Sequence, residues 1–414
     1  MSRTDRADEI ARWARSGAMA LTGRHGGPPV MCVGRPASVI REELAALAAV
    51  AGSSVDPRGL PDVRVLGERA AIAGLHRQGP LSCGGAFRAV PTLDGWIGLS
   101  LARGTDLDLV PALVSSDSVV DAWSAVTAWA AHVTTQDADA RIELLGLPGA
   151  AVPVGRSPAA GRPPVVITEG GRRDRVPDRP LVVDFTALWA GPLCAHLLGL
   201  TGADVVKVES TTRPDGARSG PSDFFDLLHA GHRSITVDPS DPADRDALLR
   251  LVTTADLVLE ASRPRALRGW GLEAPEIVAA GTSWLSITAR GRASDRVGFG
   301  DDVAVGAGLL VVDRDEIMPC GDAVADPLTG VVAARHAAEA LAAPRARLVD
   351  VSMHDVCRVA AAGPPVTQPA TRHDAGVWSV DTGREWVDVA APHGRRPTGG
   401  AAASGEHRSQ VLGR

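Results

Sequence analysis

From position 181 onward, apolar residues fall into two alternating kinds of run. Short blocks rich in Val, Leu and Ile predict strands at 181–185, 204–208, 256–260 and 284–288. Longer runs with helical spacing separate them at 192–200, 242–253 and roughly 274–280. Gly191-Pro192 and Asp241-Pro242 each place proline where a helix can begin, since the missing N–H is unpaired there anyway. Strand and helix alternating at this spacing predict βαβ units and an α/β fold built on a parallel sheet. Asp326-Pro327 opens a further helix through Ala342, and 347–353 is another strand. Beyond 365 the chain is loop-rich, with one strand pair at VWSV and EWVDVA.

The first half is less regular. Residues 7–21 predict an amphipathic helix with Ile10, Trp13, Ala14, Met19 and Leu21 among its apolar positions, ended by HGGPPV at 25–30. Helices are expected at 40–51, 67–74, 107–114 and 119–134, with a Gly-containing turn at LSCGGAF and a turn at Asp94-Gly95 leading into a strand. LLGLPGAAVPV at 144–154 returns to extended structure, and the Pro-, Gly- and Arg-rich stretch 156–180 predicts a linker. A faint repeat relates 17–49 to 306–341: each passes from a Gly-rich apolar stretch through a Cys/Gly element into an Ala-rich helix. Only the second copy carries a carboxylate, Asp326, at the helix start; the first has Ala37-Ser38 there.

Composition narrows the classes. With 414 residues, 45% hydrophobic and 22% charged, the chain is globular and long enough for two or three domains. A net charge of −6 gives no bulk attraction to nucleic acid. No apolar run approaches membrane-spanning length and the first residues lack an apolar signal core, so the expected location is the cytoplasm, away from membranes. Five scattered cysteines form no CxxC pair, and no metal site is expected. His229 and His232, with Gly231 between them, read as a turn, and Cys194 and His196 as core residues of one helix. The absence of tyrosine excludes chemistry that needs a phenol, while GxGxxG, GxxxxGK[ST] and GxSxG patterns are missing. Lys207 is the sole lysine, on a predicted buried strand.

Three constellations could carry chemistry, each with a plainer alternative. Asp326 could simply cap a helix; the same position could also keep a carboxylate ionised and let it act as a covalent nucleophile. Arg263, Arg265 and Arg268 could form a solvated loop, or contact phosphate at the carboxyl end of a parallel strand. Ser82, Gly84 and Gly85 could form an ordinary turn, or a mobile loop over a site.

The stretches VVDFTALWAGPLCAHLLGLTGADVVKVE (182–209), HAGHRSITVD (229–238), LVLEASRPRALRGWGL (257–272), GDAVADPLTG (321–330), RLVDVS (347–352) and GEHRSQVL (405–412) resemble the class III CoA-transferases, the group of formyl-CoA and carnitine CoA-transferases and α-methylacyl-CoA racemases. The resemblance implies a Rossmann-like large domain at 181–360, an interlocked homodimer, and coenzyme A handled as a substrate moiety with no permanently bound cofactor. Segments of the first third resemble later parts of the family, out of order. The expected plan is therefore a helical segment resembling part of a large domain at 1–75, a smaller α+β domain with a glycine loop at 76–155, the linker at 156–180 and a loop-rich tail at 361–414. On this resemblance Asp326 attacks an acyl-CoA thioester to give an aspartyl anhydride, and CoA passes to a carboxylic acid. An aspartate with its ordinary pKa of ~3.9 would be ionised without help. CoA contacts fall on Ala187, Leu188, Trp189, Ala261, Ser262, Arg263, Arg265 and Arg268. Trp189 replaces the glutamine of formyl-CoA transferases, Gly269 replaces an expected arginine, and the GFGDD segment at 298–302 lacks the racemase histidine. The expected activity is CoA transfer between an acyl-CoA and a carboxylate; an acyl-CoA racemase or isomerase and a degenerate CoA-binding paralogue are the alternatives.

Overall fold

The computed structural model describes residues 3–52, 55, 59–153, 161–173, 176–262, 264–363 and 367–413. Among them, one seven-stranded sheet dominates, in the order Val165–Arg172, Arg345–Ser352, Ser283–Thr288, Leu257–Glu260, Leu181–Asp184, Asp204–Ser210, Arg233–Val237. All neighbours are parallel except the first pair, which is antiparallel. The predicted strands sit within a residue or two of their expected places. The expected linker is corrected in part: its VVI core extends into an eight-residue edge strand, Val165–Arg172, paired to Arg345–Ser352. Its β-branched residues satisfy the sheet edge that Arg345–Ser352 would otherwise leave open.

Because successive strand residues face opposite sides, the sheet feeds two cores. Val182, Leu257, Leu285 and Val349 join one core with the helices Ala190–Leu200 and Ala325–Ala342; Val183, Val206, Val258 and Trp284 join the other with Pro242–Thr254 and Ala274–Ala280. The N-terminal helices Arg3–Arg15 and Pro36–Ala51 add Ile10, Trp13, Ile40, Leu44 and Leu47 to the first of these cores. The two Ala-rich helices of the internal repeat, Pro36–Ala51 and Ala325–Ala342, pack directly on each other. Small alanine side chains permit that close approach.

A three-stranded antiparallel sheet, Phe87–Pro91, Trp96–Ser100 and Gly149–Ala151, has its own core with the helices between residues 104 and 145, built on Val90, Ile97, Leu99, Leu113, Val126 and Ile142. Among the described residues no helix is long and apolar enough to cross a membrane.

Candidate active site

Asp326 lies in the first turn of Ala325–Ala342, but it is not the cap; Val324 holds that position without a side-chain hydrogen bond. The residue keeps some accessible surface while its carboxyl group is enclosed. Its partners come from other elements: the backbone N–H groups of Ala190, at the start of the Ala190–Leu200 helix, and of Gly300, at the start of Gly300–Gly306. The Asp-x-x-x-Gly spacing explains how the first is reached. Residues four apart share a helix face. At Gly330 a Cβ would come within 2.6 Å of the Ala190 carbonyl oxygen, so only glycine lets the two helices close to the separation that brings Asp326 to Ala190. Gly300 is constrained similarly, since a Cβ there would lie 2.3 Å from Asp326 Oδ2.

The expectation of a fully ionised aspartate is corrected. Burial pushes the Asp326 carboxyl up to about 7, with nearby Asp322 adding to the rise, while Arg69 and the two N–H groups oppose it. Desolvation of a charge outweighs two hydrogen bonds here. Asp301 is also pushed up to about 7 by burial and by Asp322, although Arg69 and the Ala323 N–H (3.1 Å) act against it. Asp302 next to it is likewise raised to about 7 by burial; it accepts from Ser100 Oγ (2.8 Å) and the Phe299 N–H (3.0 Å) and ties the three-stranded sheet to this region.

The loop before Ala190 is held by the sole lysine. Lys207 is 2% exposed; its Nζ donates to the Thr186 carbonyl (2.5 Å) and to Asp215 Oδ2 (2.7 Å). Asp215 Oδ1 in turn accepts from the Leu188 N–H at 3.0 Å. That bond fixes Leu188 at φ +70°, a left-handed conformation that costs a leucine energy and so needs an external clamp. Ala187 and Leu188 are left exposed, and Trp189 turns inward, stacking edge-to-face on Phe224 at 5.5 Å. His229 packs against the same network with both ring nitrogens unpartnered; burial and the Lys207 charge hold it well below its ordinary pKa, as a neutral ring.

Arg69, on the helix Glu68–Ala73, completes the cluster and was not singled out by the sequence. It donates through Nε (2.9 Å) and Nη2 to Asp322 and lies 5.2 Å over the Trp189 ring. Asp322 is buried while the Arg69 side chain keeps 32% exposure, so the pair joins an enclosed carboxylate to a half-buried guanidinium. Cys83 bridges to the same place: its thiol contacts the carbonyls of Leu21 (3.4 Å) and Gly321 (3.2 Å), and burial together with Asp322 raises its pKa. The loop of Ser82, Gly84 and Gly85 is thereby anchored beside the Asp322–Asp326 segment. Ser82 is turned inward, accepting from the Phe87 N–H at 3.1 Å, while Gly84 and Gly85 have open space where side chains would be.

The structure therefore brings Asp326, Trp189 and the glycine loop to one region. The arginine-loop residues are placed differently. Arg263 lies outside the described residues. Arg265 and Arg268 are both 59% exposed and make surface pairs with Asp295 (3.8 Å) and Glu273 (3.4 Å). Ala261 is exposed, and the Ser262 hydroxyl is enclosed without a partner. Among the described residues no group of three or more His, Cys, Asp or Glu is arranged to hold a metal ion.

The sequence model of CoA-transferase family III matches residues 180–379. This part of the chain is thus similar to that family. The match takes in the six parallel strands of the large sheet, Trp189, Lys207 and Asp326, and leaves out the edge strand Val165–Arg172, Arg69 and the glycine loop. Succinyl-CoA–D-citramalate CoA-transferase of Chloroflexus aurantiacus is 30% identical over 202 residues, 43% of this chain and 50% of that protein. Formyl-CoA:oxalate CoA-transferase of Rhodopseudomonas palustris is 36% identical over 97 residues, 22% of this chain and 23% of that protein. The chain thus spans half or less of the length of these relatives. A crystal structure of a hypothetical protein from Mycobacterium tuberculosis matches with 31% identity and a TM-score of 0.41, over 44% of this chain and 56% of that one.

Proposed function

We propose that this protein is a CoA-transferase that uses Asp326 as a covalent nucleophile on an acyl-CoA and passes CoA to a carboxylic acid. The observation that carries this reading is the enclosure of one carboxylate at the start of the Ala325–Ala342 helix, aligned by the Ala190 and Gly300 N–H groups and still partly accessible. In the first step an Asp326 carboxylate oxygen forms a bond to the thioester carbonyl carbon, and the C–S bond breaks to release CoA thiolate. No proton is transferred in that step, so no partner base is required. The thiolate then attacks the Asp326-side carbonyl of the anhydride, which expels the donor carboxylate and leaves an aspartyl thioester. The acceptor carboxylate displaces the thiolate to form a second anhydride, and the thiolate attacks its acceptor-side carbonyl, giving the new acyl-CoA and free Asp326. Trp189, where formyl-CoA transferases carry a glutamine, disfavours a formyl or oxalyl pocket of the usual kind. CoA contacts are assigned to Ala187, Leu188, Trp189, Ala261 and Ser262, with Arg263, Arg265 and Arg268 at the phosphate end. A Rossmann-like large domain, a smaller N-terminal α+β domain, an interlocked homodimer and a cytoplasmic location belong to the same reading.

A second reading rests on Asp301. Two carboxyls with pKa values raised to about 7, Asp301 and Asp326, share Arg69 and Asp322 as neighbours. Such a pair suits removal and return of an α-proton, as in an acyl-CoA isomerase. Incubation with an acyl-CoA panel separates the two. An acyl adduct on Asp326, trapped by hydroxylamine and located by intact and peptide mass, supports transfer. Deuterium wash-in at the α-carbon without CoA exchange supports the isomerase. CoA binding with neither activity marks a degenerate paralogue.

A further inference from the structure

We propose that Arg69 is the positioning residue of the Asp326 site, supplied by an N-terminal segment that lies outside the family-matched region. This rests on the reading of Asp326 as the reacting carboxylate and deepens it. Arg69 is the cation that the surrounding acidic groups share. Its guanidinium is locked on two sides, by the bidentate contact with buried Asp322 and by the Trp189 face. The first is a 2.9 Å hydrogen-bonded contact and the second a 5.2 Å stacking distance, and together they hold a side chain that is 32% exposed. Arg69 cannot leave without stranding Asp322, a carboxylate with 1% side-chain exposure.

The charged and titratable groups around Asp326 come from four elements. Arg69 is on Glu68–Ala73, Asp322 on the preceding loop, Asp301 on Gly300–Gly306 and Cys357 on Met353–Ala361. Cys83 faces Arg69, Asp322 and Asp301 from the glycine loop, and its neutral thiol adds no charge. Asp322 disfavours ionisation of Asp326, and Arg69 is the side chain that favours it. Two further consequences follow from the stacking on Trp189. The indole is held against Phe224 on one side and a cation on the other, so the wall beside Asp326 is fixed by the N-terminal segment. The Arg69–Asp322 pair also ties Glu68–Ala73 to the loop that leads into the Asp326 helix, so both parts of the site are contributed within one chain.

The test is a 13Cγ-aspartate NMR titration of the full-length protein, with Asp326→Asn used to assign the Asp326 signal. In Arg69→Gln the Asp326 midpoint is expected to rise by about one pH unit, because an opposite charge is removed. Asp322→Asn is expected to move it downward, because a like charge is removed, and this variant keeps the test available if Arg69→Gln fails to fold. Arg69→Lys should restore most of the wild-type midpoint. An unchanged midpoint in folded Arg69→Gln, or an upward move in Asp322→Asn, overturns the assignment and leaves Arg69 as a structural tie only. The titration requires no turnover. If no acyl-CoA acylates the wild type and the midpoints still move as stated, the transferase reading fails while Arg69 keeps its role.

Discussion

Two helices of this protein begin at a proline-containing turn, pack on each other and have a carboxylate at their start, yet only one of the two residues keeps accessible surface. At Ala325–Ala342 the group is Asp326, from the helix itself. At Pro36–Ala51, its partner in the internal repeat, the group is Glu9 from the helix Arg3–Arg15. Glu9 accepts from the Ala37 N–H (2.9 Å) and the Ser38 N–H (2.8 Å), is 1% exposed and is pushed by burial to about 7. Both carboxyls therefore have the same raised pKa. They differ in what their oxygens face. Glu9 satisfies the free N–H groups of the helix it caps and has no surface left. Asp326 sits inside its helix, reaches N–H groups of two other elements and stays partly accessible. A raised pKa alone does not mark an active site; the direction and accessibility of the group do.

The sharpest way to break this contrast is paired substitution. Asp326→Asn should lower adduct formation by about three orders of magnitude or more, as loss of a nucleophile does, while Glu9→Gln should leave it within about twofold. Equal losses, measured by intact mass after acyl-CoA exposure, would erase the distinction. Next in size is Lys207→Met. Removing one partner of a buried ion pair costs about 3–5 kcal/mol, and Asp215 would lose its hold on Leu188. Urea unfolding should show that loss, with Asp326 reactivity falling alongside it and the Glu9 site unaffected.

Gly300→Ala should follow, at about 1–3 kcal/mol for an overpacked contact. Its methyl would meet Asp326 Oδ2 at 2.3 Å and the Ala323 carbonyl oxygen at 2.4 Å, so Asp326 must turn away and acylation should fall more than stability. The smallest effects are in pH dependence. On the proposed mechanism acylation needs the Asp326 carboxylate, so its rate should level off above about pH 8 and fall about tenfold per pH unit well below pH 7. For Glu9 the sign concerns stability. The folded state holds the proton more tightly than the unfolded chain, so the Glu9 contribution is lost as pH rises from about 4.5 to about 7. Wild type should therefore lose stability relative to Glu9→Gln across that window, by on the order of 3 kcal/mol at most. Thermal melts of both proteins at each pH measure the difference.

Most of the large sheet was legible because hydrophobic periodicity is local: its central parallel strands are compact apolar runs bounded by turn residues, whereas Arg233–Val237, with Arg, Ser and Thr among its five residues, was not among the expected strands. Asp326 was legible because proline and glycine at +1 and +4 leave a recognisable spacing, which the close approach of Gly330 to Ala190 explains physically. Arg69 and Glu9 were not. Each acts on residues far away in sequence, and one arginine in an arginine-rich chain carries no local sign of its partner. The protonation state was misjudged for the same reason, since enclosure by Ala190, Gly300 and Asp322 is a property of the fold and not of the Ala-Asp-Pro stretch. The edge strand Val165–Arg172 was hidden by its Pro- and Arg-rich surroundings, which outweighed four β-branched residues.

Arg69 and Asp326 stand on opposite sides of the 161–173 segment in the chain, and the helices before Arg69 share one apolar core with the large sheet. Such a core makes the two parts complementation fragments. Expressed as separate polypeptides divided between 153 and 161, each would present an unpaired apolar face to the other, and the site would exist only where both were made in the same cell.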